Sequence, residues 1–562
     1  MKISVTIYLG LLLSLALGAA SCNKQLKVGD PNDPTLAVNA TTETGLEELA
    51  SGGVYINGFN NGDTWLGNSY FSLPYGYSEL LGDVVSSADA NQLVNQVSLP
   101  DYVILDDGVT KLTNTAPSRT VLRLGNTRAA TGAGNNPFYY QWLNMYALNS
   151  AMNTVLSQLP TATFSGDSAT KKATLQIWCH WWKGYAYASI GTLYYAGLVT
   201  DDPAGSSNNN FVSKDSMIIY SNQEFTKAAT LLSAITNTND FSTVLGNLIP
   251  SFCQVGNGGI LTPTMWIHNI NTMMARNIIL NGLAPFVNGN PSASISGSSM
   301  SALTTADWQN ITTLASAGIQ TGDYVFTGRS TAVNGFFTAT GGTVSALATG
   351  TNSSRTFQLS ERFLQDFKSG DQRLANDFVD SPVYINQTGG FDFSTRWSLL
   401  NGGAGSTTVY LYGDNSIGGY ELFIAGSWEE NQLMLAEAAI RSGNIDGGLA
   451  YVDAVRAYQG SGVAPVSGTG LTLVQALNEL VMERRAALAF RGLSFYDLRR
   501  WGWTYDISKG GGFYGATIYT SSKQLNTHST INYDFLDYWD VPADETDLNK
   551  PSAGSAPTTN PN

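Results

Sequence analysis

Charge is scarce in this chain. Asp, Glu, Lys and Arg make up 13% of its 562 residues, about half the usual share. Asn, Ser, Thr and Gly take their place. The result is a surface of neutral hydrogen-bonding groups, suited to neutral polar ligands and also common in extracellular bacterial proteins. Basic residues are the scarcer sign: 29 Lys and Arg face 43 Asp and Glu, for a net charge of −14. An acidic body with no basic stripe repels phosphate backbones and argues against nucleic acid. Three histidines, His180, His268 and His528, are too scattered for a recognisable triad or metal centre. Three cysteines, Cys22, Cys179 and Cys253, show no CxxC spacing, which argues against zinc. Cys179 and Cys253 could pair in an oxidising compartment or stay as two buried thiols. No phosphate-binding glycine loop precedes a helix.

Long apolar runs are also missing, except at the amino terminus. Lys2 precedes an almost wholly apolar Ile3–Leu17, then Gly18, Ala19, Ala20, Ser21 and Cys22. This is the layout of a secretory signal peptide, shorter than the roughly 20 residues of a membrane span. Small residues ending at cysteine narrow it to a lipoprotein cleavage site, with Cys22 as the lipidated first residue of the mature chain. Ala19 stands where a larger aliphatic residue is usual. Several acyl chains would anchor stably, at about 0.8 kcal/mol per buried methylene. Residues 1–21 are thus expected to be the signal peptide and 22–44 a polar, proline-bearing tether. Residues 45–562 are expected to form one domain.

What the body does have is helix punctuation and 43% hydrophobic residues, 11% of the chain being aromatic. Ser221 with Glu224, Ser427 with Glu430, and Thr472 with Gln475 have capping-box spacing, and Asp446 can cap a further helix. Gly443, Gly460 and Gly492 stand where helices end. Helices are expected over Tyr139–Leu159, Lys171–Val199, Met265–Leu280 and Asp307–Ala317, with Trp178, Trp181 and Trp182 in the core. Short connections predict antiparallel hairpins.

Between helices lie Gly-, Ser-, Thr- and Asn-rich stretches: Gly52–Asp83, Gly282–Thr305, Thr321–Ser354, Phe378–Gly426 and Ser508–Asn532. Val383–Ile385 and Thr407–Tyr412 alternate like short strands. Loops this long are usually functional, so the expected architecture is mainly α, a frame of helix pairs with long insertions and a few short strands. Its parts are an N-terminal part at 45–300, a loop-rich middle at 301–426 and a C-terminal region at 427–562.

Two segments carry a family resemblance. Glu483, Arg484, Arg485, Leu488, Ala489, Phe490, Gly492, Phe495, Asp497, Leu498, Arg499, Arg500, Trp501 and Gly502 resemble the carboxy-terminal signature of the SusD/RagB family. Val541, Pro542, Glu545, Leu548 and Asn549 resemble its closing segment. Upstream, Trp142, Tyr146, Asn149 and Asn153 resemble its tryptophan–asparagine helix, and Gly184–Tyr195 its aromatic helix. Asp371 with Arg373, Ala436–Ala438 and Arg456 fall in the same order. Departures are Ala487 and Arg491 for glutamates and Ser494 for an arginine, a loss and gain of arginine that could be one rearranged ion-pair network. The charged residues of the signature most simply hold a helix and a turn together.

The resemblance implies a tetratricopeptide-like superhelical scaffold with loops on one side. It also implies a lipid-anchored position on the outer face of the outer membrane of Bacteroidetes-type bacteria. The function implied is capture of oligo- or polysaccharide for a SusC-like TonB-dependent barrel, without catalysis; some relatives favour peptides.

Sugar rings stack their C–H faces on aromatics and bond their hydroxyls to amides and carboxylates. On that basis the expected ligand residues are Trp65, Tyr70, Tyr75 and Tyr77, with Phe71, Asn57, Asn60, Asn61, Asn68, Asp63 and Glu79 near. A second group is Tyr324, Phe326, Phe336 and Phe337, and a third is Trp397 with Arg396. The rival reading is a glycan hydrolase, which would need a carboxylate pair such as two of Asp63, Glu79 and Asp83. No cofactor is expected. Calcium on Asp201 and Asp202, or on Asp83 and Asp89, is conceivable, but solvated surface charge is the simpler reading.

Overall fold

The structure is a computed structural model; it describes residues 41–59, 73–87, 92–127, 137–202, 208–283, 303–329, 357–385, 391–399 and 421–561. Helices dominate, and the long ones pack in a row that follows the chain. Glu43–Phe59 packs on Pro137–Gln158, which packs on Ser168–Leu193, then Lys214–Ser233, Pro263–Asn281 and Thr305–Ser316. The row ends with Trp428–Arg441 against Ile445–Tyr458 and Leu473–Ala487. Each helix buries its faces against its neighbours, as in a solenoid.

The caps show why the helices start where they do. Ser427 accepts from the Glu430 N–H, and Thr472 forms a full capping box with Gln475. Two expected caps move. The helix expected to start at Ser221 begins at Lys214, capped by Ser213. Ser221 lies inside it and donates to the Gly184 carbonyl at 2.7 Å, while Glu224 holds His180 at 2.6 Å. A buried serine that bonds a neighbouring helix has the same spacing to glutamate as a cap. Asn444, not Asp446, caps Ile445–Tyr458; Asp446 lies in its first turn and accepts from the Gly468 N–H.

Four expected loops are in part regular structure: Thr321–Ser354 contains the Phe326–Arg329 strand, and Phe378–Gly426 contains the Phe378–Val383, Thr395–Leu399 and Glu421–Ala425 strands. Gly52–Asp83 contains the end of Glu43–Phe59 and the Leu73–Leu81 helix. Ser508–Asn532 contains a hairpin of Phe513–Tyr519 and Leu525–Asn532. That hairpin joins Tyr102–Ile104 and Lys111–Thr113 in a four-stranded antiparallel sheet, so a C-terminal segment completes an N-terminal one. Val383 ends the Phe378–Val383 strand. Thr407–Tyr412 lies outside the described residues.

There are two main cores. The larger holds Trp178, Trp181, Trp182 and Trp266 around Phe326, with Trp181 and Phe326 centroids 4.6 Å apart. Cys179 and Cys253 are buried thiols within it, not a disulfide. The second core joins Trp308, Leu433, Leu449 and Leu480 between the last helices. Among the described residues no helix is long and apolar enough to cross a membrane.

Candidate functional site

A small aromatic pit lies where the last helix hairpin meets a two-stranded ribbon. Its floor is Ile319, Val325 and Phe423, a separate apolar cluster on which Trp428 packs. Phe423 comes from the Glu421–Ala425 strand, paired antiparallel with Phe326–Arg329. After that strand the chain turns through Gly426 at φ 77°, the left-handed region that favours glycine. Ser427 then caps the next helix and Trp428 is its first residue. Tyr458 is the last residue of the helix that follows. The antiparallel hairpin brings these two ends together, and their rings lie 4.7 Å apart at 50°.

Tyr324 supplies the opposite side. It follows a turn fixed by Asp323, whose carboxylate accepts from the Gln320 N–H at 2.8 Å and contacts His268 Nδ1 at 2.8 Å. Val325 then donates to the Asn257 carbonyl at 3.0 Å. The Tyr324 ring lies over Gly259, so close that a Cβ there would come within 2.6 Å of it. The ring nevertheless stays 43% exposed, and Tyr458 36% exposed. Rings fixed at the backbone yet open on one face can receive a flat apolar ligand surface.

The cavity between these rings measures about 210 Å³ and is also lined by Asn257, Gln320, Thr321, Asp323 and Glu429. Burial alone would raise the Glu429 carboxyl. The Arg491 guanidinium, 2.8 Å away, more than offsets this and holds it below the usual range. Arg491 also lies 4.3 Å from the Phe423 ring centroid, beneath the pit floor.

The residues expected at a ligand fall in different places. Tyr324 lines the pit. Tyr77 is instead a core residue, 2% exposed and packed edge-on against Phe138. Tyr75 lies in the Leu73–Leu81 helix. Phe326 sits in the tryptophan core. Trp397 lies on the Thr395–Leu399 strand and packs against the larger core, and Arg396 beside it pairs with Glu361 at 2.7 Å. Trp65, Tyr70, Phe71, Phe336, Phe337 and Cys22 lie outside the described residues. Trp428, Tyr458 and Phe423 went unread in the sequence as site residues.

Two carboxylates considered for hydrolysis are structural. Asp83 is held by Arg362 through two bonds of 2.8 Å and by Ser360 and Tyr533. Glu79 accepts from the Phe490 and Gly492 N–H groups and the Ser494 hydroxyl, and burial pushes it up to about 7. Asp63 lies outside the described residues. Calcium on Asp83 is contradicted by its arginine, and Asp201 pairs with Lys183 at 2.6 Å. Among the described residues no group of three or more acidic, His or Cys side chains could hold a metal.

The signature residues form the frame behind the pit. Arg500 bonds Glu437 and Asp497, Arg484 pairs with Asp497, and Glu483 joins Arg373 and Arg456. Arg499 donates to the carbonyls of Thr192, Leu280 and Asp537. Asn149 and Asn153 both donate to the Thr200 carbonyl, and Trp142 donates to Glu545 at 3.3 Å. Arg491 and Ser494 do not form one rearranged network: they serve two different carboxylates, Glu429 and Glu79.

Residues 430–553, which contain Arg456, Arg484, Arg491, Arg499 and Arg500, match the model of the SusD family. Over that carboxy-terminal stretch the chain is similar to the SusD family. No curated protein matches the sequence closely enough to count as a relative. Solved structures share the fold over nearly the whole chain. A SusD-like carbohydrate binding protein from Bacteroides vulgatus matches with a TM-score of 0.52 at 12% identity, over 92% of this chain and 98% of its own. A putative sugar binding protein from the same species matches with 0.52 at 13%, over 94% and 100%. A SusD-like protein from Bacteroides fragilis matches with 0.52 at 12%, over 93% and 97%. At such identities the likeness is one of fold.

Proposed function

We propose that this protein is a cell-surface lipoprotein that captures oligo- or polysaccharide and passes it, uncut, to a TonB-dependent barrel in the outer membrane. The observation that carries the reading is the pit itself: Tyr324, Trp428 and Tyr458 around a cavity edged by amides and a hydroxyl. Sugar rings need that pairing of apolar faces and hydroxyl partners. The solved relatives described as carbohydrate or sugar binding proteins agree with it. Lipidation at Cys22, the outward-facing position and the barrel partner are part of the proposal and rest on the amino-terminal sequence and the family resemblance.

Capture without cleavage fits the two pit carboxylates. A glycosidase acid must hold a proton near neutral pH. Glu429 is pushed the other way by Arg491. Asp323 is occupied by His268 and the Gln320 N–H.

The test is affinity gel electrophoresis of the soluble 23–562 fragment in gels carrying neutral and acidic polysaccharides, with reducing ends measured after incubation. Retardation without new reducing ends is expected. New reducing ends, or no retardation by any polysaccharide, would overturn the proposal.

A further inference from the structure

The charge around the pit has one sign. Among the described residues that line it, Asp323 and Glu429 are the charged side chains, and both are acidic. Arg491 lies under Phe423, is 4% exposed and is bonded to Glu429 and Ser427. His268 faces Asp323 from the Pro263–Asn281 helix, and the pair leaves no surplus positive charge. The other polar lining is neutral. Asn257 donates one side-chain N–H to Glu421, and Gln320 donates one to the Gly318 carbonyl, which leaves an amide oxygen and a second N–H on each. The whole chain adds a net charge of −14.

A ligand in this pit therefore meets acceptors and negative potential. Hydroxyl groups, which donate, are accommodated. A carboxylate or sulfate would be desolvated beside Asp323 with no cation among the described lining residues to pair with, a costly arrangement in a low-dielectric site. An unpaired, desolvated charge is one way a site rejects a ligand that otherwise fits.

We propose that the pit is selective for uncharged sugars and rejects uronic, sialic and sulfated ones, an inference that rests on the glycan-capture reading. Rejection is electrostatic, so added salt weakens it. Gln320, at the exposed rim of the pit, is where a single added cation offsets it.

Matched polysaccharide pairs test this. A β-glucan, a galactomannan and a xyloglucan are each compared with the same polymer after C6 oxidation to the uronate, in affinity gels at neutral pH. For a polymer that retards the protein, oxidation is expected to weaken binding at least tenfold, and less so at high salt. Gln320→Arg is expected to narrow the ratio of neutral to oxidised binding, whatever it does to the neutral form alone. Equal retardation by both forms, or preference for the oxidised one, overturns the inference and leaves capture standing. No retardation by any neutral or oxidised polymer overturns capture, and this inference with it. A salt-independent loss on oxidation, unrelieved by Gln320→Arg, assigns the effect to shape and also overturns the inference.

Discussion

Trp428 and Tyr458 stand thirty residues apart, at the first position of one helix and the last of the next, and their rings meet at 4.7 Å. The antiparallel hairpin thus places two aromatics at its open end. Trp428 is anchored against the apolar clusters on either side of it, while Tyr458 is open to solvent.

Exposed rings in a binding pit contribute to affinity more than to folding. Tyr324→Ala and Tyr458→Ala are each expected to weaken glycan binding by about 1–2 kcal/mol, roughly 5- to 30-fold. The unfolding free energy of Tyr458→Ala should stay within about 0.5 kcal/mol of the parent. Calorimetry with the retained glycan and urea titration read the two effects separately.

Gly259 positions Tyr324. A Cβ there would press on ring atoms at 2.6–2.7 Å, so Gly259→Ala must shift the ring. Glycan affinity is expected to fall about as far as in Tyr324→Ala. Combined with Tyr324→Ala it should cost nothing further, because the ring it displaces is already gone. Additive losses would show that Gly259 acts elsewhere.

Glu437 and Arg500 form a fully buried pair at 2.8 Å. Burial opposes the charged carboxylate, but Arg500 and Arg441 more than offset it and hold Glu437 at about 2, against an ordinary 4.5. The pair's stabilisation is therefore complete above about pH 4.5 and lost as the pH falls towards 2. Glu437→Gln leaves Arg500 short of charge and should destabilise by about 3–5 kcal/mol at neutral pH. In denaturant titrations the gap to the parent should close in acid.

Asp377 behaves in the opposite sense. Both its oxygens are buried without a hydrogen-bond partner among the described residues, and burial raises it from 3.8 to about 7. Its charged form is disfavoured in the folded state, so stability falls as pH rises between about 4 and 7. Asp377→Asn should remove that slope, and the variant should gain about 1–4 kcal/mol on the parent across this range. Parallel pH profiles for the two proteins would contradict the assignment.

Much of the frame was legible because helix caps and periodicity are local. Thr472 with Gln475 and Ser427 before Trp428 mark real helix starts. The tryptophans of the Ser168–Leu193 helix are core, as their spacing indicates. Where a side chain could bond across helices, local reading failed, as at Ser221. The site was harder to read because it joins four distant segments. Tyr324 was found as an aromatic beside a glycine-rich stretch. Tyr77 had the same signature but packs inward, and only the tertiary fold separates the two. Trp428 and Tyr458 carried a usable signal: a capped helix and a glycine-terminated one, joined by a short turn, must place those rings at one end. The four-stranded sheet was not legible, since Tyr102–Ile104 and Leu525–Asn532 pair across more than four hundred residues.

The most direct test of glycan capture is a crystal structure of the soluble fragment with an oligosaccharide cut from the polymer that retards it. The account predicts an intact sugar ring in the pit, flanked by Tyr324 on one side and Trp428 or Tyr458 on the other. A cleaved sugar, or one bound elsewhere with the pit empty, would contradict it.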